Sequence, residues 1–270
     1  MKLTHLFSTA LAAVLACALW SCDPIKEEDR LVYVKPVDVN RSVLIEDFTG
    51  QRCVNCPTAT EEIEKLQELY GDAIIAVGIH SGPFGHRNTM SSARLPLCTE
   101  TGDEYYTHWG IEFQPGVKIN RSAPIYNTAQ YKKAVDEALQ ATTPLDLTLT
   151  ATYDAATGSV DITVNATSGE SLSGKLQVWV TENNIVSTQY MPDGSVNSAY
   201  VHQHVFRTSV TNDIFGDDFS VTDTAPTTAS YQVTLDEAWK AEDIAIVAFV
   251  SNGTAGVLQV AKTGLFTNNE

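Results

Sequence analysis

Ser42-Val-Leu-Ile-Glu-Asp-Phe-Thr-Gly-Gln-Arg-Cys53-Val-Asn-Cys56-Pro57 is the stretch on which the reading of this chain turns. Val43, Leu44 and Ile45, with Phe48, predict a buried strand, and Thr49-Gly50-Gln51-Arg52 a short loop after it. Ile63, Leu66 and Leu69 recur at i, i+3 and i+6, the spacing of one helix face, and Gly71 stands where that helix should stop. Pro57 fits the first turn, where a missing N–H costs little. The two cysteines therefore open a helix. Its unpaired N–H groups and the positive end of its dipole favour a thiolate on Cys53, the thiol expected to be more exposed. Cys56 is left to attack or seal a disulfide.

Strand, Cys-x-x-Cys and helix in that order is a thioredoxin-like signal. Ala73-Ile-Ile-Ala-Val-Gly-Ile-His80 follows as a continuous apolar run, typical of a buried parallel strand, and the βαβ order supports an α/β layer. Ser81 to Trp109 is polar and rich in Gly and Pro, and reads as an insertion; Met90-Ser-Ser-Ala-Arg-Leu95 within it has the composition of a helical turn or two. Pro115, just ahead of a strand at Val117–Asn120, is the candidate for the cis proline that packs beside the Cys-x-x-Cys in such folds. In thioredoxin-like proteins the backbone before that proline pairs with an extended substrate. The alternative is a trans proline at a strand start. Tyr126 to Ala141 reads as a closing helix, with Ala129, Lys132/Lys133, Val135/Asp136 and Leu139 along one face.

Composition shifts near Thr143-Pro144. Beyond it Thr, Val, Ser, Asp and Gly dominate, and Leu145–Thr152, Ser159–Ala166, Lys175–Thr181 and Tyr231–Leu235 alternate apolar with polar. Ala245–Val250 does so less strictly. Asp154-Ala-Ala-Thr-Gly158 reads as a hairpin turn, and Asp236 to Ala241 as a short helix or turn. Several short strands with turn punctuation indicate an immunoglobulin-like β-sandwich. The expected organisation is α/β plus all-β, with a thioredoxin-like domain at 31–143, its insertion at 81–109, and a β-sandwich at 144–270.

The N-terminus carries Lys2, then an apolar run from Leu6 to Trp20, about the length of a secretory h-region and short for a membrane span. Leu19-Trp20-Ser21-Cys22 looks like a bacterial lipobox with Cys22 as lipid acceptor. The expectation is a signal peptide at 1–21 and a charged tether at 22–30, with the lipid on Cys22 joining the protein to a membrane. Lys26-Glu27-Glu28 resembles the acidic export signal of Bacteroidetes surface lipoproteins, so the cell surface is expected; the alternative is a periplasm-facing location. Removing 1–21 takes one base and no acid, leaving 16 Lys+Arg against 33 Asp+Glu, a formal charge of −17. That balance argues against nucleic acid and against docking on anionic headgroups.

Of five cysteines, Cys17 leaves with the signal and Cys22 takes the lipid, so Cys53, Cys56 and Cys98 remain. Cys98 reads either as a buried small hydrophobe or as a third redox thiol. His202-Gln203-His204 would put two imidazoles on one strand face, but no third ligand stands nearby in sequence. A zinc site from the three cysteines and a histidine lacks the usual paired Cys-x-x-Cys pattern. Neither a metal nor a cofactor is expected.

Glu46-Asp47-Phe48-Thr49-Gly50-Gln51-Arg52-Cys53-Val-Asn-Cys56-Pro57, Pro115 leading to Ile119-Asn120-Arg121, and the lipobox together resemble the outer membrane protein 28 family of Bacteroidetes. Tyr200–Arg207 and Ala245–Asn252 are similar to that family as well. The resemblance implies a lipoprotein with a thioredoxin-like N-terminal region and a β-rich C-terminal region. Arg52 replaces the aromatic residue that redox-active thioredoxins carry before the first cysteine, and Val54-Asn55 replaces their Gly-Pro. Glu46 or Asp47 could serve as the buried acid that aids proton transfer there. Two readings follow. In one, Cys53 forms a mixed disulfide with a protein or peptide thiol, Cys56 resolves it and Pro115 positions the client. In the other, the Cys-x-x-Cys is a fixed staple and the sandwich binds a ligand.

Overall fold

The computed structural model describes residues 41–88, 95–253 and 255–266. The expected signal segment, the tether with Cys22, and the expected turn over Met90–Arg94 lie outside the described residues.

Strands β1 (Val43–Thr49) and β2 (Ile74–His80) run parallel, joined by helix α1 (Cys56–Tyr70), with Pro57 in its first turn and Gly71 as its cap. Every residue of both strands is buried, which is what a continuous apolar run implies when both faces are covered. Four polar residues interrupt or end those runs, Glu46, Asp47, Thr49 and His80, and all four are buried. Strand β3 (Gly116–Ile119) adds antiparallel to β1, and Tyr126 bridges Val117 on its other side.

Helix α2 (Glu100–His108) starts where Thr99 Oγ1 accepts from Gly102 N. It falls inside the stretch read as an insertion; only Gly102 and Tyr105 of it are buried, too few to leave a periodic signal. Helix α3 (Tyr131–Leu139) is shorter than the expected Tyr126–Ala141. Tyr126 is held extended by its bridge to Val117, and Asn127 and Gln130 cap a single 3-10 turn before the helix begins. Tyr131, Ala134, Val135 and Leu139 make its buried face, while Lys132 and Lys133 point to water.

Ten strands follow. They are β4 (Leu145–Asp154), β5 (Ser159–Ser168), β6 (Leu172–Glu182), β7 (Ile185–Tyr190), β8 (Val196–His202), β9 (Val205–Ser209), β10 (Asp217–Val221), β11 (Thr227–Thr234), β12 (Ile244–Asn252) and β13 (Gly256–Gly264). The hairpin turn at Asp154–Gly158 joins β4 to β5, with Gly158 at φ 69°. The fold is mixed α/β and dominated by sheet. Among the described residues the main sheet has eight strands in the order β13-β12-β6-β9-β2-β1-β3, with β10 also paired to β6. Strands from both sides of Thr143-Pro144 thus share one sheet, joined where Gly78 N donates to His204 O at 2.8 Å.

The two faces of that sheet do different things. Val43, Ile45, Ile74 and Ala76 pack against α1 and α3. Farther along, Val178, Val180, Ile246 and Ala248 pack against the three-stranded sheet β11-β5-β4, face to face. On the opposite face Leu44, Val77, Tyr105, Trp179, Phe206 and Phe249 form one aromatic-rich core. The sheet curls far enough around this core for its ends to meet, Val257 N donating to Asn120 O at 2.8 Å. Inside lies the Arg121 guanidinium, whose Nε and Nη2 both donate to Glu46 Oε1 at 3.1 Å, with Phe249, Trp179 and Tyr105 rings 4.7 to 5.3 Å away.

Candidate functional site

Cys53 and Cys56 are joined by a disulfide. The loop that carries them leaves the end of β1 with Cys53 N donating to Gly50 O, and Cys56 opens α1. Cys53 is the more exposed of the pair, as expected, but both are buried: Cys53 is 3% and Cys56 1% exposed. What covers them is the β7–β8 hairpin, which forms a two-stranded sheet of its own. Gln189 Nε2 donates to Cys53 O at 2.9 Å, and Tyr190 N to Gln51 O at 2.8 Å. Gln51, wholly buried, donates in turn to Ser187 Oγ at 2.9 Å and Leu95 O at 3.0 Å. A hairpin more than 130 residues away in sequence is thereby fastened to the disulfide loop by buried amides.

Pro115 follows a cis bond from Gln114 and stands one residue ahead of Gly116, which pairs with Phe48 at the end of β1. Gln114 Nε2 donates to Thr49 O at 2.7 Å and Ser81 O at 3.1 Å, tying that turn to the ends of β1 and β2. Arg52 is not aimed at the thiols; its guanidinium donates to the carbonyls of Pro83 and Gly85.

Of the two carboxyls considered from sequence, Glu46 faces Arg121 across the strand, and Asp47, one residue on, faces the disulfide side. Asp47 lines a cavity of about 20 Å3 together with Cys56, Thr60, His80, Tyr200 and His202. Burial without an ion partner pushes the Asp47 carboxyl up to about 7. The same burial holds His80 well below its ordinary value and His202 down at about 4, so both imidazoles are neutral at pH 7. The His80 and His202 rings meet edge to face at 5.1 Å, and Tyr200 lies 4.8 Å from His202.

The expected shared strand face for His202 and His204 is not what brings them to this cavity. Strand β8 ends at His202, and His204 turns the chain at φ 44° before β9. Among the described residues no cluster of three His, Cys, Asp or Glu is arranged to hold a metal ion. Cys98 stands apart from the disulfide, with its sulfur against Gly85 and its thiol pushed up to about 11 by burial. His80 and Gln189 were not legible as site residues. The signal for His80 was a histidine ending a wholly apolar run; Gln189 left none.

The family model described as outer membrane protein Omp28 matches residues 102–269. HBP35 of Porphyromonas gingivalis is similar in structure, at 19% identity and TM-score 0.66, over 83% of this chain and 75% of that one. A structural-genomics target from Agrobacterium tumefaciens matches at 14% identity and TM-score 0.54, over 84% of this chain and 96% of its own. A domain of the outer membrane lipoprotein Omp28 from Porphyromonas gingivalis matches at 21% identity and TM-score 0.33, over 46% and 88%. The first two likenesses speak for fold alone. No curated protein matches the chain.

Proposed function

The chain belongs to the outer membrane protein Omp28 family, and on that premise we propose that it is a Cys22-anchored surface lipoprotein performing thiol–disulfide exchange. The observation that carries the reading is Asp47: a buried carboxyl, without an ion partner and half-protonated near neutral pH, lining the same small cavity as Cys56. The order β2-β1-β3 with α1 and α3 packed on one face supports a thioredoxin-like module. The two packed sheets of the β-rich half support an immunoglobulin-like sandwich.

The chemistry starts from the disulfide. A client thiolate attacks Cys53 Sγ, the S–S bond breaks, and Cys56 leaves as a thiolate that takes the Asp47 proton. A second client thiolate then attacks the mixed disulfide, forming the client's disulfide and releasing Cys53. The client loses two electrons and the Cys53/Cys56 pair gains them. Pro115 borders the approach as a positioning residue. Val54, Phe84, Leu95 and Phe113, on segments bordering the loop, and Val186 and Val201 on the hairpin are exposed apolar side chains. Such a rim suits a polypeptide client better than a small thiol. Because both cysteines are buried, the Gln189 contact at the end of β7 must open at Cys53 for exchange to begin.

The test uses the Cys56→Ser full chain and a synthetic peptide containing one disulfide. The reading expects a stable mixed disulfide on Cys53, absent from Cys53→Ser; failure of Cys56→Ser to trap the peptide would overturn it. A fixed staple is the second reading, favoured by the 3% exposure of Cys53, and it expects that failure.

A further inference from the structure

Three buried polar atoms without a hydrogen-bond partner belong to residues that line one cavity. They are Oδ1 of Asp47, Nδ1 of His80 and Nε2 of His202. The three residues are 2, 4 and 5% exposed. They come from β1, β2 and β8, so no single local motif explains the convergence. Buried polar atoms are nearly always satisfied, by protein or by an ordered water. The cavity, about 20 Å3, exceeds the ~10–15 Å3 that one water needs, and a buried water makes two to four hydrogen bonds. Three orphaned atoms around a one-water space meet both conditions.

We propose that Asp47, His80 and His202 hold one internal water that relays protons between the Asp47 carboxyl and the imidazole pair. This rests on the exchange reading of the Cys53–Cys56 disulfide, and it makes the β-rich half a working part of that site. When Cys56 leaves as a thiolate it takes the proton of Asp47. The water then gives a proton to the Asp47 carboxylate and receives one from the imidazole pair. Each neutral imidazole gives up one N–H proton and takes another, so the pair conducts without holding charge. The proton that replaces it enters from solvent past Tyr200, half-buried on β8 beside His202.

The groups facing the relay set its working range. His204, His86 and Arg207 lie near enough to His80 to disfavour its protonation, and Lys262 acts likewise on His204. Asp47 acts on Tyr131 beneath it, and Glu61 and Glu64 of α1 act on Tyr200. The Ser187 and Thr188 backbone groups hydrogen-bond His202 and fix its ring.

The experiment follows reduction of the disulfide in the full chain by excess dithiothreitol from pH 5 to 9, read by mass spectrometry. His80→Gln and His202→Gln keep a polar side chain of similar size but cannot relay. Each should slow reduction by on the order of tenfold, below the ~10²–10⁴ range of direct general acid–base groups. Asp47→Asn should flatten the pH profile, and either histidine change should then cause no further loss. Rates and profiles equal to wild type, or losses that multiply in the double variants, would overturn the relay alone. A disulfide that dithiothreitol leaves intact at every pH would overturn the exchange reading with it. Should a variant fail to fold, a high-resolution crystal structure of the wild-type chain decides. One water bonded to all three atoms is expected, and direct contact between the Asp47 and His80 side chains would overturn the proposal.

Discussion

Asp47→Asn should stabilise the oxidised protein above neutral pH and leave its stability near pH 4 almost unchanged. The Asp47 carboxyl is raised from 3.8 to about 7 by burial. Between pH 4 and 7 the folded chain keeps a proton there that the unfolded chain has released. Stability therefore falls as pH rises through that window and levels off above it. At 1.36 kcal/mol per pH unit, the full penalty is about 4 kcal/mol, an order-of-magnitude figure. His202 and His204, each pushed down to about 4 by burial, act in the opposite sense. The unfolded chain binds protons that they refuse between about pH 4 and 6.5, so their contribution makes stability rise with pH across that window. Both imidazoles are present in wild type and variant, so the difference between the two isolates Asp47. Urea unfolding of both proteins at pH 4, 6 and 8 measures it. The variant should gain little at pH 4 and roughly 3–4 kcal/mol at pH 8. A difference that does not change with pH would refute the premise that Asp47 is buried without a compensating charge.

Three further outcomes follow from the geometry. Gln189→Ala leaves the Cys53 and Gly50 carbonyls without the amide that reaches them; it should cost ~1–3 kcal/mol and speed dithiothreitol reduction severalfold, whereas an unchanged rate would mean the hairpin does not gate the disulfide. Glu46→Gln strands the Arg121 guanidinium, 4% exposed at its side chain, without its counter-charge; a loss of about 3–5 kcal/mol is expected, with Glu46→Leu/Arg121→Met recovering much of it, and calorimetry of the single and double variants checks both. Cys98, with its thiol pushed up to about 11 by burial, should resist iodoacetamide at pH 8 and react faster only as pH approaches that value. Rapid labelling at pH 8 would contradict the raised pKa of this half-buried cysteine.

The disulfide loop was legible because its information is local. An apolar run, a three-residue helical spacing and Gly71 as a stop lie within thirty residues, and β1 and α1 follow them closely. What surrounds the loop was not, because its signals are distant or weak. Strand β8 is mostly exposed and β9 is five residues long, so neither leaves a clear alternation. Gln189 is an ordinary polar residue until the chain brings it to Cys53. Glu46 and Asp47 are adjacent acids in the sequence, yet strand alternation sends one to Arg121 and the other to the disulfide side. Only the fold separates an ion pair from an unpaired acid.

The claim that matters most is that the Cys53–Cys56 pair exchanges rather than staples. Its reduction potential, measured on the full chain with Cys98→Ser in graded glutathione buffers, tests this directly. A value between about −120 and −270 mV, the span of known thiol–disulfide oxidoreductases, is predicted. A value below about −300 mV would make the bridge structural and contradict the account.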